Sequence, residues 1–190
     1  AQLASAGSVG AVLSTQDNVF YATGFSSVMD GWHLAEPIAA VFVPANAASP
    51  VVLILPEASV ISPIVSERGG HPIHYDRLAT FDMLNFCETA RAEDAHLARP
   101  EDLLAELGEV MDRVEGDCRP DIIQTIAASL SRHVAKNDLI LFDDLRVAAR
   151  VEALNGQSTG DALEAMFAAR AVKTEDELDT LRESGRIADD

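Results

Sequence analysis

The chain has 190 residues, 48% of them hydrophobic, and carries 14 basic against 31 acidic side chains for a net charge of −17. That size suits one medium domain, or one domain with the edge of another, whose core needs no disulfide or metal, and the composition excludes a disordered or fibrous chain. No apolar run approaches the roughly 20 residues of a membrane helix, and no basic cluster offers a footprint for a phosphate backbone, so neither membrane nor nucleic acid is an expected partner.

The two cysteines, Cys87 and Cys118, make no CxxC pair and no zinc spacing. They read as reduced thiols of a cytoplasmic protein. Residues 1–75 hold five acidic and one basic side chain, and residues 76–190 hold 26 and 13. Buried sheet is expected mainly in the first part and solvated helix mainly in the second. The chain opens at Ala1-Gln2-Leu3 without a basic or apolar leader, so no signal peptide is expected. Its last helical pattern runs to Asp190 without a stop signal, which points to a piece of a longer protein.

Val9–Leu13 predicts a strand, and Ser14-Thr15 opens a helix over Gln16–Ala22 that stops at Gly24, a suitable residue past a helix end. Ser26 to Pro37 reads as a loop. Ile38–Val43 and Val51–Leu55 are β-branched apolar runs, a pair of central strands. Pro56 to Glu67 reads as a helix, with Pro63 spoiling its interior. Gly69-Gly70 turns into a short strand around Pro72–Tyr75.

From Asp76 to Ala98 no clear pattern emerges. Pro100–Val114 is an amphipathic helix with Leu103, Leu104, Leu107, Val110 and Met111 on one side. A second helix follows Pro120, striped by Ile122, Ile123, Ile126, Ala127, Leu130 and Val134. Leu139–Phe142 is a strand, Asp143-Asp144 opens a helix through Leu154, and Asn155–Thr159 reads as a break. Ala162–Ala171 is a helix or strand packed on the sheet. Thr174-Glu175-Asp176-Glu177 is a capping box, in which hydroxyl and carboxylate satisfy orphan N–H groups reciprocally. Leu178, Leu181 and Ala188 give its helix a narrow stripe that must dock on something. Strands alternating with helices make an α/β domain.

Few residues group as chemistry requires. His71 and His74 have HxxH spacing, but on a strand they point to opposite faces and share no metal. Asp143 and Asp144 sit where open α/β sheets place ligands, yet capping the next helix accounts for them. No phosphate loop, GxSxG elbow or HExxH is present. Trp32 and His33, in the long loop, are the candidates for an interface or pocket wall; equally, Trp32 could anchor the loop to the domain body. Tyr21 reads as a core residue with a hydrogen-bonded tip. No catalytic and no metal-binding residue is assigned.

Two stretches carry a resemblance. Asn18-Val19-Phe20-Tyr21-Ala22-Thr23-Gly24-Phe25 resembles the N-I-x-Y-L-T-G-F segment of the creatinase, prolidase and aminopeptidase P superfamily. Arg170-Ala171-Val172-Lys173-Thr174-Glu175-Asp176-Glu177-Leu178, with Leu181-Arg182, resembles its R-x-x-K-[ST]-x-x-E-[LI]-x-x-[LM]-[RK] segment. Ala22 stands for the usual Leu, and Ser184 for a common Ala. The resemblance implies a creatinase N-terminal-like domain over residues 1–172, a mixed sheet of about six strands flanked by helices (ribonuclease H-like). Residues 173–190 would be the linker and first helix of a pita-bread catalytic domain.

Such parents hold two divalent metals (Mn, Zn or Co) through two Asp, one His and two Glu, and hydrolyse Xaa-Pro peptides or related C–N bonds. Those ligands and any cofactor would lie outside this chain, leaving it non-catalytic. The resemblance also implies homodimer contacts, docking on its own C-terminal catalytic domain and a share in the substrate-access rim, for which Trp32 and His33 are chosen by position and chemistry. The alternative is a free-standing acidic α/β binding or regulatory module. A third reading is an independent enzyme using Asp143, Asp144 and a histidine.

Overall fold

The computed structural model describes residues 2–27, 36–83 and 101–189. In chain order the elements are α1 (Gln2–Ser5), β1 (Gly10–Leu13), α2 (Gln16–Thr23), β2 (Ala40–Pro44), β3 (Val52–Pro56), α3 (Ser62–Arg68), β4 (Arg77–Phe81), α4 (Glu101–Met111), α5 (Ile122–His133), β5 (Leu139–Phe142), α6 (Leu145–Asn155), β6 (Ser158–Asp161), α7 (Leu163–Ala171) and α8 (Glu175–Asp189). The six strands form one sheet in the order β4-β3-β2-β1-β5-β6. β2 runs antiparallel to both neighbours, and the other contacts are parallel. The expected mixed, six-stranded α/β sheet flanked by helices is what the chain forms.

Strand periodicity of two sorts the core into two layers. Val12, Phe42, Ile54, Phe81, Ile140 and Phe142 face one side, where α5 and α6 cover them with residues such as Ile126, Leu130 and Val151. Leu13, Val41, Leu53, Leu55 and Leu78 face the other, against Val19 of α2, Ile64 of α3 and Val110 of α4. β1 and β3 are buried on both faces, as their unbroken apolar runs require. Gly24 ends α2 at φ 77°, a left-handed cap that costs glycine least.

Several elements differ from expectation. The Pro56–Glu67 helix is two pieces, a 3-10 turn over Glu57–Ser59 and then α3. Pro63 stands in the first turn of α3, where its missing N–H leaves no intrahelical bond unmade. The strand placed at Pro72–Tyr75 begins later, as β4, because pairing with β3 starts at Val52 opposite Arg77. Residues 71–75 form a connector whose Ile73 is buried. The break at Asn155–Thr159 contains the start of β6, a polar edge strand held by its backbone pairing with β5. Ala162–Ala171 resolves as helix, α7. Met111, placed on the apolar stripe of α4, is 48% exposed.

Both sheet edges are managed. Beyond β4, the segment 113–119 lies alongside as two parallel bridges, Leu78 with Val114 and Phe81 with Arg119. Its backbone donates to the Leu78 and Thr80 carbonyls and accepts from the Leu78 and Asp82 N–H groups over 2.7–3.0 Å. β6 is short, with the sequence Ser-Thr-Gly-Asp, which offers little to a foreign strand.

Candidate functional site around Asp143

The strand order reverses between β1 and β5: the chain leaves β1 toward β2, β3 and β4, then returns to β5 on the other side of β1. At the carboxyl ends of such a pair an open α/β sheet leaves a crevice for ligands. Here Asp143, directly after β5, fills it. Its Oδ1 accepts from the Ser14 N–H (2.8 Å) and Ser14 Oγ (3.2 Å). Its Oδ2 accepts from the Thr15 N–H (3.0 Å), Thr15 Oγ1 (2.6 Å) and Asn18 Nδ2 (3.0 Å).

Thr15 is the N-cap of α2 but makes no side-chain cap bond. The Asp143 carboxylate instead takes the two backbone N–H groups just ahead of the helix and supplies the anion that a helix N-terminus favours. Asp144, its neighbour, caps α6 by accepting from the Arg146 N–H at 2.8 Å. The Arg146 guanidinium beside it holds its carboxyl below the ordinary range, against a smaller effect of burial. Capping of the next helix therefore belongs to Asp144, and Asp143 reaches back across the sheet.

Asn18 extends the network. Its Oδ1 accepts from Arg170 Nη1 at 3.3 Å. One turn along α2, Tyr21 is 37% exposed and not a core residue, because it lies on the outward face of α2 beneath the junction between α7 and α8. Its hydroxyl donates to the Ala169 carbonyl at 3.4 Å. The Arg170 guanidinium carbon lies 5.6 Å from its ring centroid and Lys173 Nζ 5.9 Å, within cation–π range. Burial, and then the facing Glu177 carboxylate, push the phenol pKa up.

The capping box is formed as its sequence predicts. Thr174 N–H donates to Glu177 Oε2 at 2.8 Å, and Glu177 N–H donates to Thr174 Oγ1 at 3.3 Å. The Thr174 backbone bond, ahead of smaller contributions, holds the Glu177 pKa below the ordinary carboxylate value. A lowered folded-state pKa contributes stability that is present above the unfolded value and is lost as pH falls through the folded one. Amides of the first turn of α8 should therefore exchange faster as pH drops through and below the carboxylate range, after correction for intrinsic rates. Glu177→Gln should abolish that component; the same pH dependence in both proteins would refute the assignment.

Two further places hold polar groups. Glu115, in the segment along β4, accepts from Ser129 Oγ at 2.9 Å and pairs with His133 Nε2 at 2.7 Å, while the His133 ring stacks on Phe42 with centroids 6.4 Å apart. This cluster escaped the sequence reading; its one local signal is Gly116, at φ 71°, which turns the chain beside it. Both hydrogen bonds end on the carboxylate, so serine and histidine are not arranged as nucleophile and base. A cleft of about 330 Å³ opens past the end of β4, lined by Phe81, Asp82, Asp121, Ile122 and Arg150 among others. Asp121 spends both oxygens on Gln124 as the cap of α5, and Arg150 pairs with Glu36.

His71 and His74 lie on the connector before β4 and not on a strand. Their backbones donate to Ser66 and Thr23. Among the described residues no three His, Cys, Asp or Glu side chains are grouped to hold a metal ion, and no helix is long and apolar enough to cross a membrane. Trp32, His33 and Cys87 lie outside the described residues. Cys118 is exposed.

No family model matches the chain, and no curated protein is similar to it. Solved structures are similar to it in fold. A proline dipeptidase from Streptococcus pneumoniae TIGR4 shares 16% identity over 90% of this chain and 93% of that one, at a TM-score of 0.49. The creatinase/prolidase N-terminal domain of an X-Pro dipeptidase from Streptococcus pyogenes shares 13% over 87% and 91%, at 0.46. A creatinase N-terminal superfamily domain of a dipeptidase from Streptococcus thermophilus shares 15% over 90% and 92%, at 0.46. At these identities and scores the likeness gives no residue a role.

Proposed function

We propose that this chain is the non-catalytic amino-terminal domain of a metal-dependent Xaa-Pro peptidase or creatinase-like amidohydrolase. The observation that supports it best is where its two motif-bearing stretches meet. They are 152 residues apart between Asn18 and Arg170, yet Asn18 and Tyr21 of the first contact Arg170 and Lys173 of the second. Two motifs that belong together in one superfamily thus form one structural unit here.

The exposed side of α8 suits the same reading. Leu181 and Ile187 are 56% and 65% exposed, and a cleft of about 350 Å³ beside Lys173, Glu177, Thr180 and Leu181 lies along its first turns. In this proposal residues 173–190 begin the catalytic domain, which covers that face, and the assembled protein is a cytoplasmic homodimer with Trp32 and His33 at the substrate rim. The residues described here do not suit a pair of catalytic metals. The best-placed carboxylate, Asp143, already accepts five hydrogen bonds. Two divalent ions (Mn, Zn or Co) would therefore belong to the catalytic domain.

The coding sequence tests this directly. The frame that encodes Asp190 should continue for about 250 residues, the extent of a second domain, and supply two Asp, one His and two Glu as ligands. A stop codon immediately after Asp190 would overturn the proposal in favour of a free-standing module. The 190-residue chain, supplied with Mn²⁺ or Zn²⁺ and a proline dipeptide, should neither turn over nor retain stoichiometric metal. Hydrolysis by the purified chain would overturn it equally.

A further inference from the structure

α8 is a 15-residue helix whose Leu181 and Ile187 face solvent. A helix of this length is marginal by itself in water, so whatever grips its first turn has a large say in where it points. The grip comes from α2. The Asn18 amide stands between unlike charges, its Nδ2 donating to Asp143 and its Oδ1 accepting from Arg170. Turning that amide over would set its –NH₂ against the guanidinium and its carbonyl against the carboxylate, so one orientation is held. The Tyr21 ring lies within reach of the cations of Arg170 and Lys173, and its hydroxyl donates to the carbonyl of Ala169. Lys173 donates to the Arg170 carbonyl and lies 3.9 Å from Glu177, tying the junction to itself.

We propose that Asn18 and Tyr21 form a latch that clamps the junction between α7 and α8 onto α2, so that the direction of α8 is set from the Asp143 crevice and not by packing of α8 itself. The inference does not rest on the reading of the chain as a peptidase domain, and its test leaves that reading untouched.

Amide hydrogen exchange of the whole chain tests it. In Tyr21→Leu, amides of residues 170–181 should exchange about tenfold faster, the effect of losing two exposed cation–π contacts, while amides of β1 and β5 keep the parent rate. Arg170→Ala, at an exposed position, removes the Asn18 and Tyr21 contacts together and should act alike; it carries the test if Tyr21→Leu fails to fold. Adding Asn18→Ala to Arg170→Ala should bring less at the junction than Asn18→Ala brings alone, because the shared contact is already gone. Parent-like exchange at the junction in Arg170→Ala would overturn the latch, as would a uniform rise across the chain.

Discussion

Asp143→Ala should lower the unfolding free energy by about 3 kcal/mol, read as a fall in the urea midpoint at unchanged slope. The carboxylate accepts from two backbone N–H groups, two hydroxyls and one amide, and Ser14 is buried. Removing it strands the Ser14 and Thr15 donors just ahead of α2, whose N-cap residue makes no side-chain cap bond of its own. Asp143→Asn should cost about half as much, because one amide oxygen still accepts while its –NH₂ meets donors it cannot satisfy. A loss below about 0.5 kcal/mol in Asp143→Ala, the size of an ordinary surface change, would show that water replaces the carboxylate and that the crevice is not organised by it.

Phe42→Ala should cost about 4 kcal/mol, the range for removing a buried aromatic ring. Phe42 is 1% exposed and sits in the middle of the sheet, where it packs between the β1 backbone and the α5 layer. On one side its Cε2 would lie 2.5 Å from a Cβ at Gly10, so glycine there is what lets the ring approach β1. On the other it stacks on His133, which Glu115 holds at 2.7 Å. Truncation opens a cavity under α5 that the bonded histidine cannot collapse into. Phe42→Leu, which refills most of the volume, should cost about 1.5 kcal/mol. Equilibrium unfolding of both variants checks this, and equal costs would mean that the site relaxes and that ring shape contributes nothing.

Much of this fold is legible locally. β1, β2, β3 and β5 are runs of Ala, Val, Leu, Ile and Phe with Gly10, Pro44 and Pro56 only at their ends, because a strand covered on both faces has no use for a polar residue. The Gly24 stop, a cap within Asp143-Asp144 and the Thr174 capping box are equally readable, since each satisfies backbone groups within a few residues of itself. The stripe of α5 needs only its own 3.6-residue period.

Other features carry no such mark. β6 is a strand by virtue of the backbone groups that β5 offers it, so Ser158-Thr159-Gly160-Asp161 show no apolar alternation. β4 is bounded by a connector that looks equally extended, and its register depends on β3. Tyr21 looks like a core aromatic until α7 and α8 arrive on the outer side of α2. Asp143 and Asp144 are indistinguishable as neighbours. They part company because β1 lies beside β5, which puts the start of α2 within 3 Å of one carboxylate and leaves the other to its own helix. Backbone propensity, capping and periodicity act over one or two turns and are written in adjacent residues. The pairing of Asp143 with Ser14, or of Asn18 with Arg170, spans 129 and 152 positions and exists only once the order of strands has brought those positions together.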